Sequence, residues 1–313
     1  MPRMLRSAVV ALGSIVALSL AAPARATYPG ANGEIAYARY GGKTVPSTIR
    51  TIWADGTRGR VLARPGLGLP DAEWSPDGTE VAMILGKEPN RIAVLDLSTD
   101  VRSTVIRSDD VPNARLIDSL GISPAGDAIV FCAVLRGAIN TALYTVGVDG
   151  SALTRISGLR QECSPDWGPT DRIAAERFGA GEKIVTMDPD GSNPVVVIRG
   201  RDADRAAIFS SPSWSPDGAR IVVGSTSMNE IRPDLWIVDA DGSNLTALTD
   251  TVRRTEHAPI FSPGGTMIAF LRTNAREGYP QSDIFTMAVD GSDIRRVTDT
   301  PNLHEYPRSW QAV

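Results

Sequence analysis

A chain of 313 residues with 42% hydrophobic and 22% charged side chains has ordinary globular composition, which excludes a disordered polymer. The formal charge of −4 excludes the strongly basic surface that a nucleic-acid partner demands. Two Cys are too few for a disulfide framework or a Cys-only zinc site, and two His leave little for a His-rich metal centre.

The first element is residues 1–26. Arg3 and Arg6 precede an apolar run, "SAVVALGSIVALSLAAP", and small residues follow at Ala24 and Ala26. That order is the mark of a secretory signal peptide, cleaved before Thr27. A membrane anchor is the alternative, but the run is short of the roughly 20 residues that a spanning helix needs. No Cys follows it to carry a lipid, and no later segment is long and apolar enough to span a membrane. Cleavage removes three Arg and no acid, so the mature chain 27–313 carries −7. The expectation is an exported protein, periplasmic or extracellular.

Past residue 32 the chain repeats itself. An Asn32-Gly33 turn leads into "GEIAYAR" (33–39), and "TIWADGTRGRVL" (51–62) reads as a hairpin. "DAEWSPDGTEVAMI" begins at Asp71, "SLGISPAGDAIVFC" at Ser119 and "SPDWGPTDRIAAE" at Ser164. "SPSWSPDGARIVV" begins at Ser211 and "APIFSPGGTMIAFL" at Ala258. The large residue before each turn is Trp74, Ile122, Trp167, Trp214 and Phe261, spaced by 48, 45, 47 and 47, with Trp310 of "EYPRSWQ" 49 further on. About 28 residues after the large residue comes a second hairpin, as in "LWIVDADGSNLTALT" (235–249) and "DIFTMAVDGSDIRRVT" (283–298). Copies stand at 142–157 and 183–198, and a weaker one, with "LSTD" for the turn, at 91–106. Asp-Gly between β-branched runs is a tight turn, because Gly supplies the positive φ. Each unit is therefore four strands, here a to d, and a period near 47 is a repeat architecture.

Four antiparallel strands in each of six units predict an all-β fold, a six-bladed β-propeller whose blades pack on one another around a channel. The residue before each SPDG turn is expected to pack between blades. Counting back from Trp74 leaves the first blade without its innermost strand, and 305–311 is the unpaired copy. The C-terminal strand is thus expected beside Gly33–Arg39, closing the ring and removing two exposed edges.

These units resemble the PD40, or TolB-type, repeat: a WSPDG turn, an "IVF"-like strand, then "LWIVDADGSN" and "LT", matched almost throughout 211–249. The resemblance covers the chain from about Gly33 to Trp310. It departs at Ala125 and Gly264, where Asp is usual, and at the shortened "GPTDR". It implies a propeller that binds a partner in the cell envelope or outside the cell. TolB also has an N-terminal α/β domain, for which residues 26–33 leave no room, so TolB's own partner is not carried over. Prolyl oligopeptidases, with similar propellers, carry their catalytic Ser on a separate domain. Oligogalacturonate-type lyases resemble the repeat but depend on a His-rich metal site.

The turns a–b and c–d share one face of a propeller. The dissimilar loops share the other: "YGGKTVPST", "RSDDVPNARLID", "STSMNEIRPD", "DTVRRTEHAP" and "TNAREGYPQSD". Loops that vary on a repeating frame are where specificity sits. Candidate contacts are Arg253, Arg254, Glu256, His257, His304 and Glu305, in the loops that lead into strand a; the plain alternative is solvated loop charge. Cys132, ending strand b of the third unit, and Cys163, entering strand a of the fourth, approach one face. A disulfide fits if their Cα atoms lie within roughly 7 Å; two buried thiols are the alternative. "HEYPR" (304–308) lacks the second His of a zinc-protease helix, and no G-x-S-x-G elbow occurs. The DADGSN-type turns look like calcium loops, but hairpin geometry already accounts for Asp-Gly. Asn244-Leu245-Thr246 is a formal glycosylation sequon.

The reading is an exported monomer with no cofactor and no metal, binding a protein, small molecule or carbohydrate at the loop face. The alternative is a small hydrolase or lyase acting on carbohydrate or lactone with a channel-bound metal.

Overall fold

The computed structural model describes residues 29–41, 45–66, 70–137, 140–158, 161–179, 182–200, 202, 207–227, 234–251, 254–274 and 281–313. Residues 1–26, expected from the sequence to be a signal peptide, and the candidate contact Arg253 lie outside them. The described residues are all-β apart from one 3-10 turn at Ser108–Asp110. Among them no helix is long and apolar enough to cross a membrane.

The strands follow the repeat. The N-terminal three are β1 (Asn32–Gly41), β2 (Val45–Ile52) and β3 (Arg60–Gly66). The second unit is β4 (Ala72–Trp74), β5 (Glu80–Leu85), β6 (Arg91–Asp96) and β7 (Val101–Arg107). The third is β8 (Ala114–Ile122), β9 (Ala128–Leu135), β10 (Asn140–Gly147) and β11 (Thr154–Arg155). The fourth is β12 (Glu162–Trp167), β13 (Ile173–Arg177), β14 (Lys183–Met187) and β15 (Val195–Arg199). The fifth is β16 (Ala207–Trp214), β17 (Arg220–Ser227), β18 (Asp234–Asp239) and β19 (Thr246–Ala247). The sixth is β20 (Arg254–Phe261), β21 (Met267–Asn274), β22 (Gln281–Ala288) and β23 (Arg295–Arg296), and the last strand is β24 (His304–Ala312).

The second to fifth units are separate four-stranded antiparallel sheets. β24 runs antiparallel to β1, with Trp310 opposite Ile35 and Glu305 opposite Arg39. A single parallel bridge, Ser282 to His304, joins this group to β20–β23, so the two count as one eight-stranded sheet. Several expected loops are shorter than the sequence suggests. Val45–Thr48 already belong to β2, and Arg254–Pro259 belong to β20. Cross-strand pairing extends strands through polar residues that carry no hydrophobic alternation.

The turns hold as their chemistry dictates. In SPDG, the Glu80 and Arg220 N–H groups donate to the hydroxyls of Ser75 and Ser215 (both 2.9 Å). These hydroxyls donate in turn to Asp77 and Asp217. In the second hairpin, Asp149, Asp190, Asp241 and Asp290 each accept the N–H two residues on, at 2.8–2.9 Å. Hydrogen bonds from the Ser side chain and N–H hold all four carboxyls below their usual range. Their geometry is that of an Asx turn. The Thr or Ser of the "LT" signature caps the neighbouring strand: the Leu143, Leu235 and Ile284 N–H groups donate to Ser157, Thr249 and Thr298.

Six hydrophobic clusters among the described residues lie between neighbouring strand groups. One joins Leu62 and Ile49 to Trp74 and Leu95, and another joins Ala174 and Ile198 to Trp214 and Val238. The sixth joins Ile284 and Val297 of the last unit to Ile35 and Trp310. Trp74 and Trp214 are 1% and 2% exposed, which places them between sheets as expected. The hairpin glycines face the outer strand of the preceding unit. At Gly191, with φ +83°, a Cβ would stand 1.9 Å from the Ile156 carbonyl, so no other residue fits. Gly56 takes the same position against Val297.

Candidate functional site

β4, β8, β12, β16, β20 and β24 face a common cavity of about 120 Å³. Each of the last five breaks register just before its large residue, between Cys163 and Asp166 in β12 and between Ser210 and Ser213 in β16, for example. Ser164, Ser211 and Ala258 take φ of 47–50° at these bulges. A bulge on a strand edge re-aims the side chains that follow. The Pro residues that come next, Pro165, Pro212 and Pro259, have no N–H to strand on the cavity wall.

The re-aimed residue reaches the next inner strand. The Trp74 N–H donates to Ser309 Oγ (3.1 Å) and the Phe261 N–H to Ser213 Oγ (3.3 Å). The Trp214 N–H donates to Asp166 Oδ2 (2.6 Å). Gly121 interrupts the series: a Cβ there would lie 3.3 Å from the Trp167 nitrogen. Asp71 Oδ2 accepts from the Leu120 N–H (3.1 Å), and Glu176 Oε1, on β13, from the Ser211 N–H (2.7 Å).

The cavity is acidic. Asp71, Glu73 and Asp166 line it, and Arg308 is the one cation on its wall among the described residues. Arg308 Nε stands 3.4 Å from Asp71 Oδ1, and its guanidinium lies over the Tyr306 ring at 5.7 Å. Burial pushes the Asp71 carboxyl up. Burial, then the charges of Asp166 and Asp71, push Glu73 well above the usual carboxylate range. Burial takes Asp166 to about 6 against the pull of the Trp214 N–H, and Glu176 to about 7 against the Ser211 N–H. Glu73 and Asp166 keep some accessible surface because they face the cavity, yet the walls strip away most of their bulk water. Such a wall favours a positively charged guest and disfavours anions.

The candidates taken from the sequence do not gather here. Arg254, Glu256 and His257 sit in β20, and His304 and Glu305 in β24, not in loops. Glu256 and Glu305 are fully buried and ion-paired, to Arg272 at 2.8 Å and Arg39 at 2.6 Å, which corrects the reading of solvated loop charge. Glu162 of β12 pairs with Arg177 in the same way, so the position recurs in three units. Arg254 is exposed. Burial lowers the His257 imidazole below its ordinary value. His304 Nδ1 lies 2.9 Å from Ser282 Oγ, with its ring 6.5 Å from Tyr40.

Cys132 of β9 and Cys163 of β12 form a disulfide between the third and fourth units, with Cα atoms 5.0 Å apart. Asp118 is close to both sulfurs, and these three are the one potential metal cluster among the described residues. Sulfurs bonded to each other offer no thiolate.

Asp71, Glu73, Asp166, Glu176 and Arg308 were missed by sequence reasoning. For Asp71, Glu73 and Asp166 the signal was present in "DAEW" and "SPDW", acids within three residues of the large residue of an inner strand, and for Arg308 in "PRSW"; Glu176, on β13, carried none.

No family model matches the chain. It is similar to the Tol-Pal system protein TolB of Anaeromyxobacter dehalogenans, 36% identical over 140 residues, which is 44% of this chain and 29% of that protein. The matched stretch is thus less than a third of the relative's length. Among solved structures, TolB from Acinetobacter baumannii superposes with a TM-score of 0.71 at 18% identity, covering 90% of this chain and 67% of that one. A putative TolB from Agrobacterium tumefaciens gives 0.65 at 18% identity, covering 90% and 100%. With the repeat, the stacked sheets and the cavity between the inner strands, these likenesses support a TolB-like β-propeller fold.

Proposed function

We propose that residues 1–26 direct export and are removed, and that residues 27–313 form one six-bladed propeller that binds a protein partner in the cell envelope. The six clusters between strand groups, the last between β20–β23 and the β24–β1 group, support the blade count, as does Gly56 against Val297. The β24–β1 ladder supports closure by the C-terminal strand. The Tol-Pal name of the curated relatives supports an envelope partner and a periplasmic location.

The observation that carries the reading is the acid-lined cavity where the six inner strands meet. Its mouth admits a cationic group presented by the partner, a Lys or Arg side chain. Glu73 is the acid to test, because no hydrogen bond ties it into the frame among the described residues.

The test begins with capture of a partner from envelope extract on immobilised 27–313, followed by calorimetry with the purified partner. The reading expects affinity that weakens as ionic strength rises and falls about tenfold in Glu73→Gln, the loss of one partly buried charge pair. Affinity indifferent to salt and to Glu73→Gln would place recognition elsewhere. Stoichiometric manganese or zinc in the purified protein would favour a hydrolase or lyase instead.

A further inference from the structure

The junction between β12–β15 and β16–β19 is bridged by two carboxylates. In three inner strands a Glu–Arg ion pair stands at the outer end: Glu162–Arg177, Glu256–Arg272 and Glu305–Arg39. In the fifth unit Phe209 and Ser225 take that place, opposite each other in the ladder. Two carboxylates of the fourth unit reach across instead. Asp166 Oδ2 receives the Trp214 N–H at 2.6 Å, and Glu176 Oε1 receives the Ser211 N–H at 2.7 Å. Both donors flank the bulge of β16, whose residues Ala207–Trp214 include no charged side chain.

We propose that this seam is a pH-sensitive joint, tight when Asp166 and Glu176 are protonated and loosened when they ionise.

The surroundings set the direction. Glu176 faces Asp118 of β8 and Glu182 ahead of β14, both acidic, and the Ser164 hydroxyl. Asp166 stands near Glu73 of β4. Cations on the neighbouring elements are engaged elsewhere: Arg177 with Glu162, Arg308 with Asp71. Lys183 of β14 lies opposite Arg177, and Arg220 of β17 lies opposite Asp239 at the far end of its sheet. β9 and β10, packed on β12, have no charged side chain. An ionised Glu176 is therefore buried among like charges with two neutral donors. The protonated acid still accepts the Ser211 N–H through its carbonyl oxygen, and no longer repels Asp118 and Glu182.

Linkage gives the sign. Folding raises both carboxyls, to about 6 and about 7, above their unfolded values. The folded state therefore binds more protons than the unfolded chain through this window, and stability falls as pH rises. The contribution is whole below about pH 4 and is lost as pH passes through 6 to 7.

The test is hydrogen exchange by mass spectrometry on the full mature chain at pH 5.5 and 8, corrected for intrinsic rates. The peptide over 207–216 is expected to gain protection on acidification by several-fold more than 116–124 or 256–263. In the D166N/E176Q variant, 207–216 is expected to be as protected at pH 8 as the wild type is at pH 5.5, with Tm at pH 8 raised. A pH response equal at all junctions overturns the proposal, as does one that the variant retains. Should the variant fail to fold, carboxyl carbon-13 titration of the wild type decides: a Glu176 midpoint near 4.5 refutes the joint, and one near 7 upholds it. The readout is independent of what the cavity binds.

Discussion

Glu256 has no exposed surface, and Arg272 opposite it has almost none. Thr251 and Thr249 hydroxyls satisfy the remaining carboxylate lone pairs, and the Arg272 guanidinium lies 5.2 and 5.0 Å from the Phe270 and Phe285 rings. Removing one partner strands the other in low dielectric. Glu256→Ala is expected to cost about 3–5 kcal/mol in denaturant unfolding, whereas the joint replacement Glu256→Met with Arg272→Leu is expected to be within about 1–2 kcal/mol of wild type. A small single-variant loss would mean that water reaches Arg272. None of this is legible in the sequence. Glu256 and Arg272 stand sixteen positions apart with no periodic signal, and a Glu beside His257 and Arg254 reads like surface charge. Trp74 and Trp214 are the opposite case: a large aromatic before a tight turn can bury itself only against the next sheet.

Hairpins are where sequence and structure agree most closely, because Asp-Gly and Ser-Pro-Asp-Gly fix a turn by local chemistry alone. The outer strands agree least. β11, β19 and β23 hold two residues each, whereas β3, β7 and β15 at the same edge hold seven, seven and five. The inner strands have their own logic, a Ser-Pro or Ala-Pro bulge that aims the next side chain at a neighbour, and the sequence shows the residues without the aim. Between elements, the Cys132–Cys163 bridge closes a span of 31 residues across the third and fourth units. The chain-entropy relation gives about 3–4 kcal/mol for a loop of that size. Cys132→Ala with Cys163→Ala is expected to lower unfolding stability by that order, read by urea denaturation under oxidising conditions. Equal stability with and without the bridge would show that the interface of Val130, Leu143, Trp167 and their neighbours already restrains the unfolded chain.

At the scale of the molecule, the period near 47 made the stacking of sheets legible, while the chemistry of the axis was not. The repeat specifies how each sheet meets the next, and the cavity takes whatever side chains the bulges leave over. The joining of the two ends was readable by subtraction, and the ladder from Asn32 to Tyr40 against His304 to Ala312 bears out the pairing. Trp310 is 5% exposed and donates from its indole to the Gly33 carbonyl (3.1 Å). Trp310→Ala is expected to cost about 3–5 kcal/mol. Deletion of 304–313 is expected to abolish cooperative unfolding or cause aggregation. A truncated protein that melts within a few degrees of the full chain would refute a closing role for β24.

That ladder also orders events in time. Ala31 and Val313 exchange backbone hydrogen bonds in both directions, at 3.0 and 3.1 Å. The second to sixth units can each pair their own strands locally, but one edge of β1 finds its partner only in the sequence-distant β24. Until then one side of β1 is a bare edge, and the loop to be closed is almost the whole chain. Closing it adds entropy cost slowly with length, but the contact is the least local one the fold contains, and non-local pairing is slow. Docking of β24 on β1 therefore sets when the described strands become a single cooperative body, and a chain that lacks β24 keeps β1–β2–β3 paired but leaves one edge of β1 bare.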